Sequence, residues 1–227
     1  MGKALENKKH KIHAIMDAGY ELYSKKGVND TTVGDITSAA GVAKGTFYLY
    51  FKDKFELHDR LVISKSSKLF VNAYQKLSHE VRINNNQELR LPENAILFMM
   101  KDILDVLKED RDLLRFLHKD LALGIINNFE ENELLAEENP DFIAMYRRIL
   151  SLSNERFRNS KVMLFLIIEL VSSTAYTSIM YGDSLISLGE LMPYLHETIH
   201  DIMERNRIIS VEELPYNERN RAELKDN

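Results

Sequence analysis

The stretch V-G-D-I-T-S-A-A-G-V-A-K-G-T-F-Y-L-Y-F-K-D-K, residues 33–54, decides the fold of the N-terminal part of this chain. Its pattern predicts two short helices that meet at Gly41, because glycine readily supplies the left-handed backbone of a tight turn. Ile36, Val42 and Phe47 are spaced to form a small apolar core beneath that turn. Two short helices joined in this way describe a helix-turn-helix.

The start of the second short helix carries groups that suit contact with DNA. In a helix-turn-helix, the N-terminal residues of the second helix enter the major groove. Lys44 can reach a guanine edge or a phosphate, Gly45 lets the backbone approach closely, and Thr46 can bond a base. Other side chains around this helix can donate hydrogen bonds to the flanking phosphates. These donors are the hydroxyls of Thr32, Tyr48 and Tyr50 and the ammonium of Lys54.

The longer run T-T-V-x-D-I-x-x-A-A-G-V-x-K-G-T-F-Y-x-Y-F-x-D-K-x-E-L, after an amphipathic helix that ends in K-K-G-V, resembles the N-terminal domain of the TetR family of transcriptional regulators. The resemblance covers about residues 8–60, and beyond them only the helical plan is similar. It implies a homodimeric repressor that binds a palindromic double-stranded DNA operator and is released by an unidentified small-molecule effector. Matched position by position, the DNA contacts of the family fall on Thr32, Ala43, Lys44, Gly45, Thr46, Tyr48, Tyr50 and Lys54.

Three positions depart from the pattern of the family. Ala43 stands where serine is frequent, Thr37 where alanine is usual, and Leu49 where a tyrosine or another large polar residue is common. The base preference of a relative is therefore not carried over to this chain.

Composition and charge are compatible with this interpretation. The chain has no cysteine, which excludes a disulfide framework, a thiolate metal site and a cysteine nucleophile. Residues 1–54 hold nine lysines and six carboxylates, a net charge of +3, so the remaining residues carry −8 of the total of −5. A basic head on an acidic body suits nucleic-acid binding, although ordinary scatter of surface charge explains it equally well. The N-terminus lacks the apolar segment of a secretory signal, so we expect a cytoplasmic protein.

Helical periodicity throughout predicts an all-α fold. We expect a three-helix DNA-binding domain over residues 1–53, a larger effector-binding and dimerisation domain over 54–207, and a polar, frayed tail over 208–227. The predicted helices are Lys8–Lys26, one from the Thr32 cap to Gly41, Ala43–Tyr48, one from the Asp53 cap with Glu56 in the reciprocal position to Val81, Pro92–Lys108, Asp112–Phe129, Asp141–Phe157, Lys161–Tyr181 and Leu188–Asn206, with a loop at 83–88.

The segment 162–181 is apolar enough to span a bilayer. Glu169 near its centre would be costly in hydrocarbon, and the run Ser172-Ser173-Thr174 weakens that interpretation further. A helix that is apolar on all sides also suits a bundle core or a subunit interface. We therefore predict no membrane association and a homodimer formed through residues 161–181 and 188–206.

The effector pocket is harder to read from sequence. Met and aromatic side chains suit an apolar ligand, and Glu169 could pair with a cationic one. Core packing is the commoner reason for such residues, and a regulator without an effector stays open as an alternative. The candidate lining residues are Phe98, Met99, Phe116, Met145, Tyr146, Phe165, Glu169 and Tyr176.

Residues 196–200 read H-E-T-I-H, the H-E-x-x-H pattern of zinc hydrolases. A catalytic zinc needs a third protein ligand and an open cleft, but no histidine follows His200 and the neighbouring Leu195 and Ile199 form a packing stripe. We predict no enzymatic activity, no metal site and no cofactor. Incidental metal binding by His196 and His200, or pH-sensitive association through them, remains a hypothesis.

Overall fold

The structure, a computed structural model, describes residues 2–121, 142–153, 155–182 and 185–208. Within these ranges the chain forms helices and no strand, and Phe157 and Arg207 make an isolated antiparallel bridge. The all-α prediction is confirmed. The helices are α1 Gly2–Lys26, α2 Val33–Ala39, α3 Lys44–Tyr48, α4 Lys54–Arg82, a 3₁₀ turn Glu88–Arg90, α5 Pro92–Glu109, α6 Arg111–Leu117, α7 Phe142–Leu150, α8 Ser160–Tyr181 and α9 Leu188–Asn206.

Side-chain caps define where several helices begin. Thr32 and Asp35 form the predicted capping box of α2, in which each side chain accepts the backbone N–H of the other residue. Asp53 accepts the first N–H groups of α4, as predicted. Glu56, however, accepts the N–H of Lys52 instead of that of Asp53, so the reciprocal bond predicted for this cap is shifted by one residue.

The described chain divides into two compact units, and α4 contributes to both. The head unit comprises residues 2–68 and 110–121, and the body unit comprises 69–109 and the described residues from 142 to 208. The predicted domains, 1–53 and 54–207, stay predictions. They were defined by function, whereas the two units are defined by which residues pack together. The predicted tail lies outside the described residues, apart from Ile208.

The core of the head unit lies between α1, α2, α3 and the first part of α4. Gly19 permits a close approach of α1 and α4, because a Cβ there would lie 2.7 Å from Cδ2 of Leu57. Phe116 of α6 joins this unit, with its ring 5.2 Å from those of Tyr20 and His58. The fully buried side chains of the head are Ile15, Ile36, Phe47, Phe51, Leu57, Leu61, Leu114 and Leu117.

In the body unit, α8 packs along α9. Met163 and Ala175 of α8 and Ile199 of α9 are completely buried. Among the described residues, α8 is the one helix long and apolar enough to cross a membrane by length and composition, and one side of it is committed to this protein core. The helical core expected for this segment is therefore present.

Two predicted helices are shorter than expected. The helix predicted over Asp141–Phe157 ends at Leu150, because the backbone of 156–158 bonds to residues 206–208 instead of continuing the helix. The helix predicted over Asp112–Phe129 begins at Arg111, with Asp110 as its cap, and a turn follows Leu117. Its predicted continuation over 122–129 lies outside the described residues.

Candidate nucleic-acid interface

The turn between α2 and α3 has the predicted geometry. Gly41 adopts a φ of +65°, which only glycine takes without strain. The N–H of Val42 donates to the Thr37 carbonyl over 3.0 Å and fixes the exit of the turn. The helix-turn-helix predicted from the sequence is therefore present.

Buried aromatic residues hold α3 against the head. Phe47 and Phe51 are buried, and their rings lie 5.5 Å apart. With Phe47 facing inward, the opposite side of the helix start faces out: Ala43, Lys44 and Gly45 are all exposed. No atom lies within 4 Å of a Cβ built on Gly45, so this edge of α3 is open to a ligand. Lys44 and Gly45 are predicted base contacts, whereas Thr46, the third, is half-buried.

The predicted tyrosines border this open edge. Tyr48 is 52% exposed, and its ring packs edge-on against Phe47 at 5.4 Å. Tyr50 is half-buried, and the Lys8 ammonium lies 5.9 Å from its ring centroid. Leu49 is 76% exposed, so this apolar side chain also stands at the surface that the pattern assigns to DNA.

Thr32 and Asp35 form an exposed, ordered start of α2. The Thr32 oxygen accepts the Asp35 N–H at 3.1 Å, a bond that leaves the hydroxyl proton free to donate to a phosphate. The Asp35 carboxylate accepts the Thr32 N–H at 3.0 Å and the Lys26 ammonium at 2.9 Å. These bonds lower the pKa of Asp35 to about 2, and the bond from the Thr32 backbone N–H is the largest cause.

Lys54 has a structural task that the sequence did not indicate. Its ammonium donates to the carbonyls of Asn29 at 2.8 Å and Thr31 at 2.9 Å, which closes the loop before α2. The hydroxyl of Tyr23 donates to the Lys54 carbonyl at 2.7 Å. A phosphate contact by Lys54 would share an ammonium that already binds two carbonyl oxygens.

Sequence reasoning missed the N-terminal extension of α1. The helix begins at Gly2 rather than Lys8, so residues 2–7 extend it ahead of Lys8, Lys9 and Lys11. Lys8 reaches the ring of Tyr50, one of the predicted phosphate contacts. The signal was present in the unbroken helix-forming run before Lys8, but that run lacks an N-terminal cap and so offered no boundary.

The candidate effector residues are not all brought together. Phe116 packs in the head unit, whereas the other candidates belong to the body unit. Met99 and Tyr146 are buried, and the Tyr146 hydroxyl donates to the Ser160 carbonyl at 2.9 Å. Phe98 lines a groove of about 560 Å³ between α4 and α5, whose other walls are Leu69, Asn72, Gln75, Lys76, His79, Glu80, Asp102 and Val106.

Phe165 and Glu169 lie on the outer side of α8. Val162, Leu166 and Glu169 are three or four residues apart and share one face of the helix. Val162 is 56% and Leu166 47% exposed, and Phe165 is exposed beside them. This outer face of α8, residues Val162, Phe165, Leu166 and Glu169, presents apolar surface rather than a pocket wall.

The H-E-T-I-H pattern lies on α9 as the sequence indicated. Ile199 is buried, whereas His196, Glu197 and His200 are exposed. The His200 Nδ1 lies 3.0 Å from the Glu93 carboxylate, which raises the pKa of His200 mainly through that hydrogen bond. The partner of His200 is thus 107 residues away and not the other histidine of the pattern.

Part of the head unit matches a known protein family. Residues 15–61 match the family model described as "Bacterial regulatory proteins, tetR family". A Bacillus subtilis relative, "Fatty acid metabolism regulator protein", is 26% identical over 188 residues, which cover 65% of this chain and 96% of that protein.

Solved structures share the fold over most of the chain. A TetR transcriptional regulator from Rhodococcus sp. RHA1 aligns with a TM-score of 0.55 at 14% identity, covering 87% of this chain and 97% of that one. FadR from Bacillus subtilis, solved in complex with stearoyl-CoA, aligns with a TM-score of 0.50 at 19% identity, covering 84% and 97%.

Proposed function

We propose that this chain, a DNA-binding transcriptional regulator of the TetR family, is a cytoplasmic repressor that binds a palindromic operator as a homodimer and leaves it when a small molecule binds. The observation that carries the proposal is the open start of α3. Ala43, Lys44 and Gly45 are exposed there, while Phe47 anchors the same helix in the core. This is the arrangement by which a helix-turn-helix inserts into the major groove.

We assign two kinds of contact to this surface. Gly45 and Thr46 would meet base edges, with Ala43 beside them, and Lys44 would meet a base edge or a phosphate. Tyr48, Tyr50 and Thr32 would bind phosphates. Lys54 would contribute mainly by holding the loop before α2, because its ammonium already binds two carbonyls there. Lys8 is an additional candidate for a phosphate contact, given its position over Tyr50.

Titration of a palindrome from the promoter region of its own gene tests the DNA-binding surface. We expect Lys44→Ala to weaken binding and to reduce the salt dependence by about one released counterion if the ammonium meets a phosphate. Tyr48→Phe should weaken binding through loss of one hydroxyl, with the head still folded. Lys108→Ala, an exposed lysine at the end of α5, serves as the charge-matched control. Equal affinities for the wild type and Lys44→Ala at fixed salt would contradict the assignment.

The homodimer would form through α8 and α9. The outer face of α8 exposes Val162, Phe165 and Leu166, and Tyr194 of α9 is 70% exposed. Exposed apolar side chains that share one face of a helix, as those of α8 do, favour an interaction site. A dimer would also match the two-fold symmetry of the palindromic operator that we propose, because each half-site would bind one head.

The effector would bind in the body unit, and acyl-CoA thioesters are the first class to test. The support is the groove of α4 and α5, where Leu69, Phe98 and Val106 offer apolar contacts beside Lys76 and His79. The FadR protein of Bacillus subtilis, of similar fold, was solved with stearoyl-CoA.

Thermal unfolding with stearoyl-CoA, coenzyme A alone and stearate separates the contributions of chain and headgroup. We expect stearoyl-CoA to raise the melting temperature and to release operator DNA, and Phe98→Ala to reduce both effects. If none of the three compounds stabilises the protein or releases operator DNA, this effector class is rejected. The DNA-binding proposal would not be affected by that result.

In the part of the chain that the structure describes, the groups of a zinc hydrolase are not assembled around the H-E-T-I-H pattern. Among the residues that the structure describes, the cluster able to hold a metal contains His200 but neither His196 nor Glu197. We therefore propose no enzymatic activity, and the relatives found are transcriptional regulators.

A further inference from the structure

We propose that Glu93, His200 and Glu204 form a binding site for a divalent transition-metal cation that joins the first turn of α5 to α9. One ligand atom from each of the three residues lies within 4.8 Å of the other two. The site lies in the body unit and does not depend on the DNA-binding or effector proposals. We call these three residues the α5–α9 cluster.

The geometry of the cluster follows from the two helices. His200 and Glu204 are one helical turn apart, so their side chains share a face of α9. Glu93 lies in the first turn of α5, and its carboxylate oxygens are 3.0 and 3.1 Å from Nδ1 of His200. Metal–ligand bonds of about 2.1 Å need ligand atoms roughly 3.4 Å apart in a tetrahedral site. The three ligand atoms lie within 4.8 Å of one another, so a metal would need them to close to that spacing, and His200 and Glu204 are exposed side chains.

The charge of the cluster favours a divalent cation. The two carboxylates carry two negative charges; Arg207 pairs with Glu204, and a protonated His200 offsets the charge of Glu93. A dication would take the place of the proton on His200 and leave imidazole as a neutral ligand. Asp201, next to His200 on α9, adds further negative potential. A proton competes with the metal for His200, because protonated His200 forms an ion pair with Glu93.

The chemistry of the ligands indicates the class of metal. One imidazole and two carboxylates suit Zn²⁺, Mn²⁺ or Fe²⁺ better than Ca²⁺, which prefers a shell of six or more oxygens. Glu204 is oriented by Arg207, whose Nη2 lies 2.5 Å from Oε1, so its second oxygen is the one available to a metal. With three protein ligands, water would complete the coordination.

The test uses the full chain without a histidine tag, titrated with ZnCl₂ near pH 8 by calorimetry and by thermal unfolding. We expect one Zn²⁺ per chain and a higher melting temperature with Zn²⁺, lost on addition of EDTA. His200→Asn, Glu93→Gln and Glu204→Gln should each weaken Zn²⁺ binding at least about tenfold, since even outer-shell changes cost that much. Circular dichroism of each variant checks that the helices are retained.

His196→Asn and Glu197→Gln are the matched controls, because both residues are exposed on the same helix but lie outside the cluster. Their Zn²⁺ affinities should equal that of the wild type. The proposal is overturned if the wild type binds no Zn²⁺, or if Glu93→Gln binds it unchanged. It is also overturned if His196→Asn weakens binding as much as His200→Asn, because the metal would then belong to the histidine pair.

Discussion

At the scale of single residues, two of the lysines in the stretch 33–54, Lys44 and Lys54, differ in what they contact. Lys44 is exposed at the start of α3, whereas the Lys54 ammonium binds the carbonyls of Asn29 and Thr31. Two positively charged side chains in one motif therefore divide into one that faces outward and one that stabilises the loop before α2. Substitution by methionine, which keeps the length and removes the charge, separates the two roles.

We expect Lys54→Met to lower the free energy of unfolding by about 1–2 kcal/mol, because it removes hydrogen bonds from a charged donor to two carbonyls. Lys44→Met should change it by less than about 0.5 kcal/mol, as is usual for an exposed residue. Operator affinity should fall in both variants. Urea unfolding measures the stability of both variants, and DNA titration measures their operator affinity. Equal stability of Lys54→Met and the wild type would show that the hydrogen bonds of Lys54 do not stabilise the fold.

Asp35 makes the start of α2 sensitive to acid. Its pKa is lowered from 3.8 to about 2 by the bonds to Thr32 and Lys26. A depressed pKa in the folded state contributes stability above the unfolded value, and this contribution is lost as the pH falls from about 4 towards 2. Asp35→Asn should therefore unfold at lower urea than the wild type at neutral pH, and the difference should narrow as the pH falls through this window. A constant difference would show that the carboxylate charge is not involved.

At the scale of the elements, the two glycines of the motif can be distinguished by their backbone. Neither Gly41 nor Gly45 has an atom within 4 Å of a built Cβ, so added bulk alone clashes with nothing in the head. Gly41 has a positive φ in the turn, whereas Gly45 lies within α3. A difference in stability between the two alanine variants must therefore come from their backbone conformations. A difference in operator affinity can also come from a clash with DNA.

Gly41→Ala should destabilise the protein by about 1–2 kcal/mol, the cost of a left-handed conformation for an L-residue. Gly45→Ala should leave stability unchanged or raise it by up to about 1 kcal/mol, since alanine favours helix. It should nevertheless weaken operator binding, because the methyl group stands where the backbone approaches the groove. Urea unfolding and DNA titration of both variants test this, and full operator affinity of Gly45→Ala would remove Gly45 from the interface.

Local signals explain which elements could be predicted. Three boundaries are set by a few adjacent residues: the Thr32–Asp35 capping box, the Gly41 turn, and the start of α9, where Ser187 and Glu190 form a second capping box. The end of α7 could not be predicted, because it depends on the pairing of residues 156–158 with residues 206–208. The loop contacts of Lys54 and the His200–Glu93 pair were missed for the same reason, since their partners are distant along the chain.

At the scale of the whole molecule, the outer face of α8 has no partner within the described chain that covers it. Val162 and Leu166 remain about half exposed on a helix whose opposite side is buried against α9. The Glu169 carboxylate lies on the same face, so an interface here must accommodate or pair a charge. A second copy of the chain would cover the apolar residues and bring two heads to one operator.

Val162→Glu and Leu166→Glu should each weaken self-association at least about tenfold, because they bury an unpaired charge in an interface core. Ile83→Glu, at an exposed apolar residue just after α4, is the control and should leave self-association unchanged. Sedimentation over a range of concentrations gives the dissociation constants. Operator binding should fall with the dimer, since one head contacts only one half-site. An unaltered dimer in both variants would exclude this face of α8 from the interface and leave the contacts of α3 with DNA to be judged separately.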